Sequence, residues 1–113
     1  MLYTNSGKIH VLNVLNNGAI KGLDDDAVIE TNCIVTSSGA RPITTGTLPS
    51  SIKGLVHSVK AYEQLTIEAS VESSKNKALL ALINNPLVHG ADVAQNILEQ
   101  MIEAHKEHLS YLK

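Results

Sequence analysis

Apolar residues come in short β-branched runs in the first half of the chain, and at helical spacing in the second. Residues 9–15 (Ile-His-Val-Leu-Asn-Val-Leu) form one such run between Ser6-Gly7 and Asn16-Asn17-Gly18, which predicts a strand. Residues 27–35 (Ala-Val-Ile-Glu-Thr-Asn-Cys-Ile-Val) predict a second strand, opened by the acidic turn Asp24-Asp25-Asp26 and closed at Ser37-Ser38-Gly39. A short third strand is expected at 42–45, close enough in sequence to pair with the second as a hairpin. From Ser51 the apolar positions Ile52, Leu55, Val56, Val59 and Tyr62 line one helix face. Leu65, Ile67, Ala69 and Val71 widen the stripe, so this helix is expected to be covered on more than one side. Pro49 followed by Ser50-Ser51 suits its start. A second helix is predicted over 75–83, ended by Asn84-Asn85-Pro86. A third runs from Asp92, read as its N-cap, to about residue 111. Strands followed by three helices give an α+β (mixed α/β) class.

The chain has 113 residues and a formal net charge of −2. That length suits one domain over 1–113 and is too short for a two-domain cofactor enzyme. The weak charge offers no footprint for nucleic acid or for an anionic membrane. No apolar run reaches the roughly 18 residues of a membrane helix, and the start lacks the order of a signal peptide. The single cysteine, Cys33, forms no internal disulfide. A cytoplasmic protein is expected. Three tyrosines with no Phe or Trp exclude an aromatic platform for bases or sugar faces, and the lone Arg41 excludes a multi-arginine anion clamp.

Candidate chemistry is sparse. Cys33 lies in a strand with no neighbouring cation to lower its pKa, which reads as a small buried hydrophobe. His105 and His108, beside Glu103 and Glu107, permit a surface metal site but equally suit a solvated helix end. His57 reads as a rim residue. Three consecutive aspartates at 24–26 converge poorly on one ion and suit a solvated turn. Glu68 and Glu72 stand one helical turn apart, as paired carboxylate chemistry would require and as exposed surfaces often show. No Gly-rich phosphate cradle is present. Asn16-Asn17-Gly18 directly follows a buried-looking strand. Asparagines there can bond hydroxyls or phosphate oxygens of a ligand in a crevice, or they can cap a turn.

Several stretches, taken in order, resemble the C-terminal part of glycoside hydrolase family 4, most closely its 6-phospho-β-glucosidase members. They are Ile-His-Val-Leu-Asn-Val-Leu-Asn-Asn-Gly-Ala-Ile at 9–20, Leu-Asp-Asp-Asp-Ala-Val-Ile-Glu at 23–30 and Gly-Thr-Leu-Pro at 46–49. Lys-Ala-Tyr-Glu-Gln-Leu-Thr-Ile-Glu-Ala at 60–69 and Ala-Leu-Ile-Asn-Asn-Pro-Leu-Val at 81–88 continue the series. The resemblance implies a C-terminal substrate domain of the lactate/malate dehydrogenase-like type. Its parent enzyme would use NAD and manganese to cleave 6-phosphoglucosides by oxidation, elimination and reduction, outside the two-carboxylate scheme. It also implies that the Rossmann domain, the metal-binding Cys and His and the catalytic Tyr lie outside this chain. Cys33 and His10 do not match those ligands, and Tyr3 lacks the flanking motif. The chain is therefore expected to hold no catalytic, cofactor or metal residue and to be inactive alone. Asn16, Asn17 and Gly18 are the expected substrate-binding residues. A homo-oligomer is expected, with the long helix packing on the rest of the enzyme or on a second subunit. The alternative is a stand-alone sugar-phosphate-sensing or interaction module.

Overall fold

A computed structural model describes residues 7–113 as strands followed by helices, the expected α+β order: β1 Lys8–Leu15, β2 Ile20–Lys21, β3 Val28–Thr36, β4 Gly39–Pro42, β5 Gly46–Thr47, α1 Ser50–Glu72, α2 Lys75–Asn84, α3 Ala91–Ala104 and α4 Lys106–Leu109. Tyr3 and Ser6 lie outside the described residues. The backbone gathers into two compact units, one ending at Ser50 and the next beginning at Ser51. Each is described by itself.

In the first unit β3 is the centre of an antiparallel sheet of order β1-β3-β4. Its residues alternate cleanly, with Ile29, Thr31, Cys33 and Val35 buried and Val28, Glu30, Asn32 and Ile34 exposed, because successive side chains point to opposite faces. Opposed pairs share a face, so Ile9↔Ile34, Val11↔Asn32 and Leu15↔Val28 occupy the exposed side. β1 is thus not the buried strand its composition suggests. It is an edge strand with Ile9 60%, Val11 58% and Leu15 49% exposed.

The third strand falls at Gly39–Pro42 rather than 42–45. Ser37-Ser38 form the hairpin turn, so Thr36 already pairs with Gly39, and the Thr36 hydroxyl accepts from the Ser38 N–H at 3.2 Å. The ladder runs one bond past Pro42, the Ile43 N–H donating to the Asn32 carbonyl at 2.8 Å. Beyond it the chain leaves the sheet: the Thr45 N–H donates to the Ala19 carbonyl, and β2 pairs with β5 in parallel, Ile20↔Gly46 and Lys21↔Thr47.

In the second unit α1 runs its full expected length. Yet Ala69 is its one buried residue, and Ile52, Leu55, Ile67 and Val71 stay exposed. Its expected second cover is not supplied by the described residues. α2 is capped by Ser74, whose hydroxyl accepts from the Lys77 N–H at 3.3 Å. The last expected helix is two helices, broken at His105, whose φ of −120° leaves the helical range. Its N-cap is Gly90, not Asp92, since α3 has already begun at Ala91. Gly90 sits at φ 116°, a conformation open to glycine.

Candidate functional site

The connection from β1 to β3 is the most heavily bonded polar feature of the first unit, and Asn16 is its centre. This side chain is 0% exposed. Its Nδ2 donates towards the carbonyls of Ile20 (3.0 Å), Leu23 (3.0 Å) and Asp24 (3.2 Å), and its Oδ1 accepts from the Ile20 N–H at 2.8 Å. The Asn16 backbone N–H donates to Ala27, and its carbonyl accepts from Ala19 at 2.8 Å. A buried amide must find partners, and this one finds all of them on its own loop. Both of its hydrogens are committed to carbonyls of the loop, so Asn16 shapes the loop.

The Ala19-to-Asn16 bond closes a β-turn whose central residues are Asn17 at φ 42° and Gly18 at φ 79°. Positive φ at both central positions is the type I′ signature, and Asn-Gly is the pair that tolerates it best. Asn17 is exposed; its backbone N–H donates to Asp25, while its side-chain amide has no partner among the described residues. The Gly18 N–H has none among them either. The turn and ligand readings of this segment therefore divide between residues: Asn16 belongs to the first, and Asn17 with Gly18 presents free hydrogen-bonding groups to solvent. Sequence spacing gave no sign of that division. Asp24, Asp25 and Asp26 are all exposed beside the turn, which makes its surroundings negative.

The other candidates separate from this site. Cys33 is fully buried, its thiol directed at the Thr31 carbonyl at 3.5 Å. His10 stands opposite Cys33 on the sheet, and its Nε2 is buried without a hydrogen-bond partner among the described residues. In the second unit Glu68 and Glu72 both bind Lys77, each at 2.7 Å from its Nζ. The hydrogen bond from Lys77, with a second from Gln64, holds the Glu68 carboxyl below its ordinary range, and Glu68 and Glu72 hold the Lys77 ammonium above its own. This pair of carboxylates is a clamp between α1 and α2 and not an acid–base couple. His57, His105 and His108 are exposed. A largely apolar cavity of about 270 Å³ lies between Tyr62, Ala69, Ala81, Leu98, Met101 and Tyr111, with no carboxylate, histidine or cysteine in its lining. Among the described residues no three His, Cys, Asp or Glu come close enough to share a metal ion. These residues therefore do not fit manganese.

The chain matches the model of the family 4 glycosyl hydrolase C-terminal domain over residues 1–88. It is 44% identical over 108 residues to a probable 6-phospho-beta-glucosidase of Bacillus subtilis (strain 168), covering 96% of this chain and 24% of the relative. A maltose-6'-phosphate glucosidase of the same organism is 46% identical over 103 residues, covering 91% of this chain and 23% of its own length. Among solved structures, the 6-phospho-beta glucosidase from Thermotoga maritima with manganese, NAD+ and glucose-6-phosphate superposes with a TM-score of 0.84 at 41% identity. That match covers 99% of this chain and 27% of that one. The chain thus spans about a quarter of the length of the relatives it matches.

Proposed function

The chain belongs to the family 4 glycosyl hydrolases, and from that membership we propose that its 113 residues serve as the C-terminal substrate domain of an NAD- and manganese-dependent 6-phosphoglucosidase. The observation that carries this reading is the agreement with the Thermotoga maritima enzyme, a protein solved with NAD+, manganese and glucose-6-phosphate, across 99% of the chain. A phosphorylated sugar and a nicotinamide cofactor suit a cytoplasmic reaction. Identity is much the same to the probable 6-phospho-beta-glucosidase (44%) and to the maltose-6'-phosphate glucosidase (46%), whose named substrate is α-linked. The reading therefore covers 6-phosphoglucosides as a class, and anomeric preference is assigned to residues elsewhere in the enzyme.

In this reading NAD and manganese bind outside the described residues and supply the redox and acidifying chemistry. What these residues contribute is recognition at the tip of the β1–β3 loop. The Asn17 amide and the Gly18 N–H donate to sugar oxygens, while Asn16 holds the turn that presents them. Three neighbouring aspartates repel a phosphate dianion, which favours hydroxyls of the glucoside as the partners. A homo-oligomer also belongs to the proposal, since exposed apolar surface remains on α1.

A chimera tests it. These 113 residues replace the matching segment of the Thermotoga maritima enzyme, and cleavage of 6-phosphoglucosides is assayed with NAD and manganese. Turnover is expected, and Asn17→Ala should raise KM about tenfold, the worth of a hydrogen bond to a sugar hydroxyl. A folded chimera that binds NAD yet neither binds nor cleaves these substrates refutes the reading.

A further inference from the structure

We propose that the Asn17–Gly18 peptide bond is a site of spontaneous deamidation, which converts Asn17 to aspartate and isoaspartate at the tip of the β1–β3 loop. The Gly18 nitrogen gives up its proton to water or hydroxide and attacks Cγ of Asn17. A new bond from that nitrogen to Cγ closes a succinimide ring as the Cγ–Nδ2 bond breaks, and the amide leaves as ammonia after taking up a proton. Water then opens the ring at the Cγ carbonyl, giving aspartate, or at the backbone carbonyl, giving isoaspartate. The net change is amide plus water to carboxylate plus ammonium, with no oxidant or reductant.

Three observations carry the assignment. Asn17 and Gly18 are exposed, so water reaches both reacting atoms. The Gly18 N–H lacks a partner among the described residues, so losing its proton breaks no hydrogen bond. Gly18 carries no side chain to crowd the attack, and nothing beyond its chain neighbours lies within 4 Å of where a Cβ would stand. Neighbouring asparagines each fail at least one of these conditions. Asn16 has its amide locked by four hydrogen bonds, and the nitrogen that would attack it donates to Asp25. Asn13 precedes the β-branched Val14 inside the β1–β3 ladder. The turn restrains the reaction through the Ala19-to-Asn16 bond, and that one bond must open for Asn17 to rotate onto Gly18.

Trypsin cutting after Lys8 and Lys21 releases residues 9–21, which contain Asn13, Asn16 and Asn17 together. The purified protein is held for days in mildly alkaline buffer, digested at intervals and analysed by mass spectrometry. Expected is a growing mass gain of hydroxyl for amino, faster at higher pH and localised by fragmentation to residue 17, with two product peptides separable by chromatography. Gly18→Ala should slow it several-fold. The proposal is overturned if residue 17 stays unchanged while a synthetic peptide of residues 9–21 converts under the same conditions. It is equally overturned if the gain falls on Asn13 or Asn16. What the new carboxylate does to sugar recognition rests on the function proposed above. Asn17→Asp in the chimera reads that separately through KM, and an unchanged KM would remove the sugar contact while leaving the conversion standing.

Discussion

Asn16 and Asn17 are chemically identical neighbours in opposite surroundings, one buried and one exposed, and single substitutions should separate them. Asn16→Ala strips four hydrogen bonds from a buried loop and leaves carbonyls and the Ile20 N–H unpaired, which should cost about 3 kcal/mol. A lower urea midpoint at unchanged slope is the measurement. Asn17→Gly keeps a residue suited to positive φ, and its midpoint should stay within about 0.5 kcal/mol of the parent. His10 gives the reverse case. Its Nε2 is buried and unpaired among the described residues, so His10→Leu should hold or raise stability by about 1 kcal/mol. A clear loss would mean that this nitrogen has a partner beyond the described residues. Composition told of two asparagines at a strand end. Only coordinates could show which of them faces inward, because both fit a turn and both fit a ligand.

Among the elements, the clamp of Glu68 and Glu72 on Lys77 links α1 to α2, and its pH dependence has two limbs. Glu68 is held below its ordinary 4.5, so its contribution is complete above that value and disappears as pH falls through the lowered one. Lys77 is held above its ordinary 10.5, so its contribution is complete below that value and disappears as pH rises through the raised one. Helical content followed against pH should fall at both ends in the parent and more weakly in Lys77→Met, with salt shrinking the difference. An identical profile in the variant would show that the clamp does nothing for the helices. Elements with a long period were legible in the sequence: β1, β3, α1 and α2 stand where spacing puts them, whereas the third expected helix is broken at His105 into α3 and α4. The two-residue strands β2 and β5 were not, since two residues carry no period and their pairing joins positions far apart in sequence. The third strand slipped because a two-residue turn set its register, something a loop estimate by length does not see.

At the scale of the molecule, apolar surface is left open on the sheet and on α1, and a net charge of −2 adds little repulsion between copies. The purified protein should bind a hydrophobic dye and self-associate in sedimentation experiments. Replacing the opposed pair Ile9 and Ile34 by threonine keeps β-propensity while removing apolar area, and should shift the distribution towards monomer. A parent protein that is strictly monomeric and dye-silent would contradict this. The family was legible from ordered short stretches spread along the sequence, whereas which side of each strand meets solvent was not. The division of labour in the β1–β3 loop has one more consequence, for how such a domain can change. Its anchor, Asn16, is bonded wholly to its own loop, and its tip is bonded to almost nothing. Substitutions at the tip that suit its left-handed backbone are therefore insulated from the buried anchor, and on the function proposed above new sugar contacts can be sampled there, by drift or by library selection, within the narrow set of residues that accept positive φ.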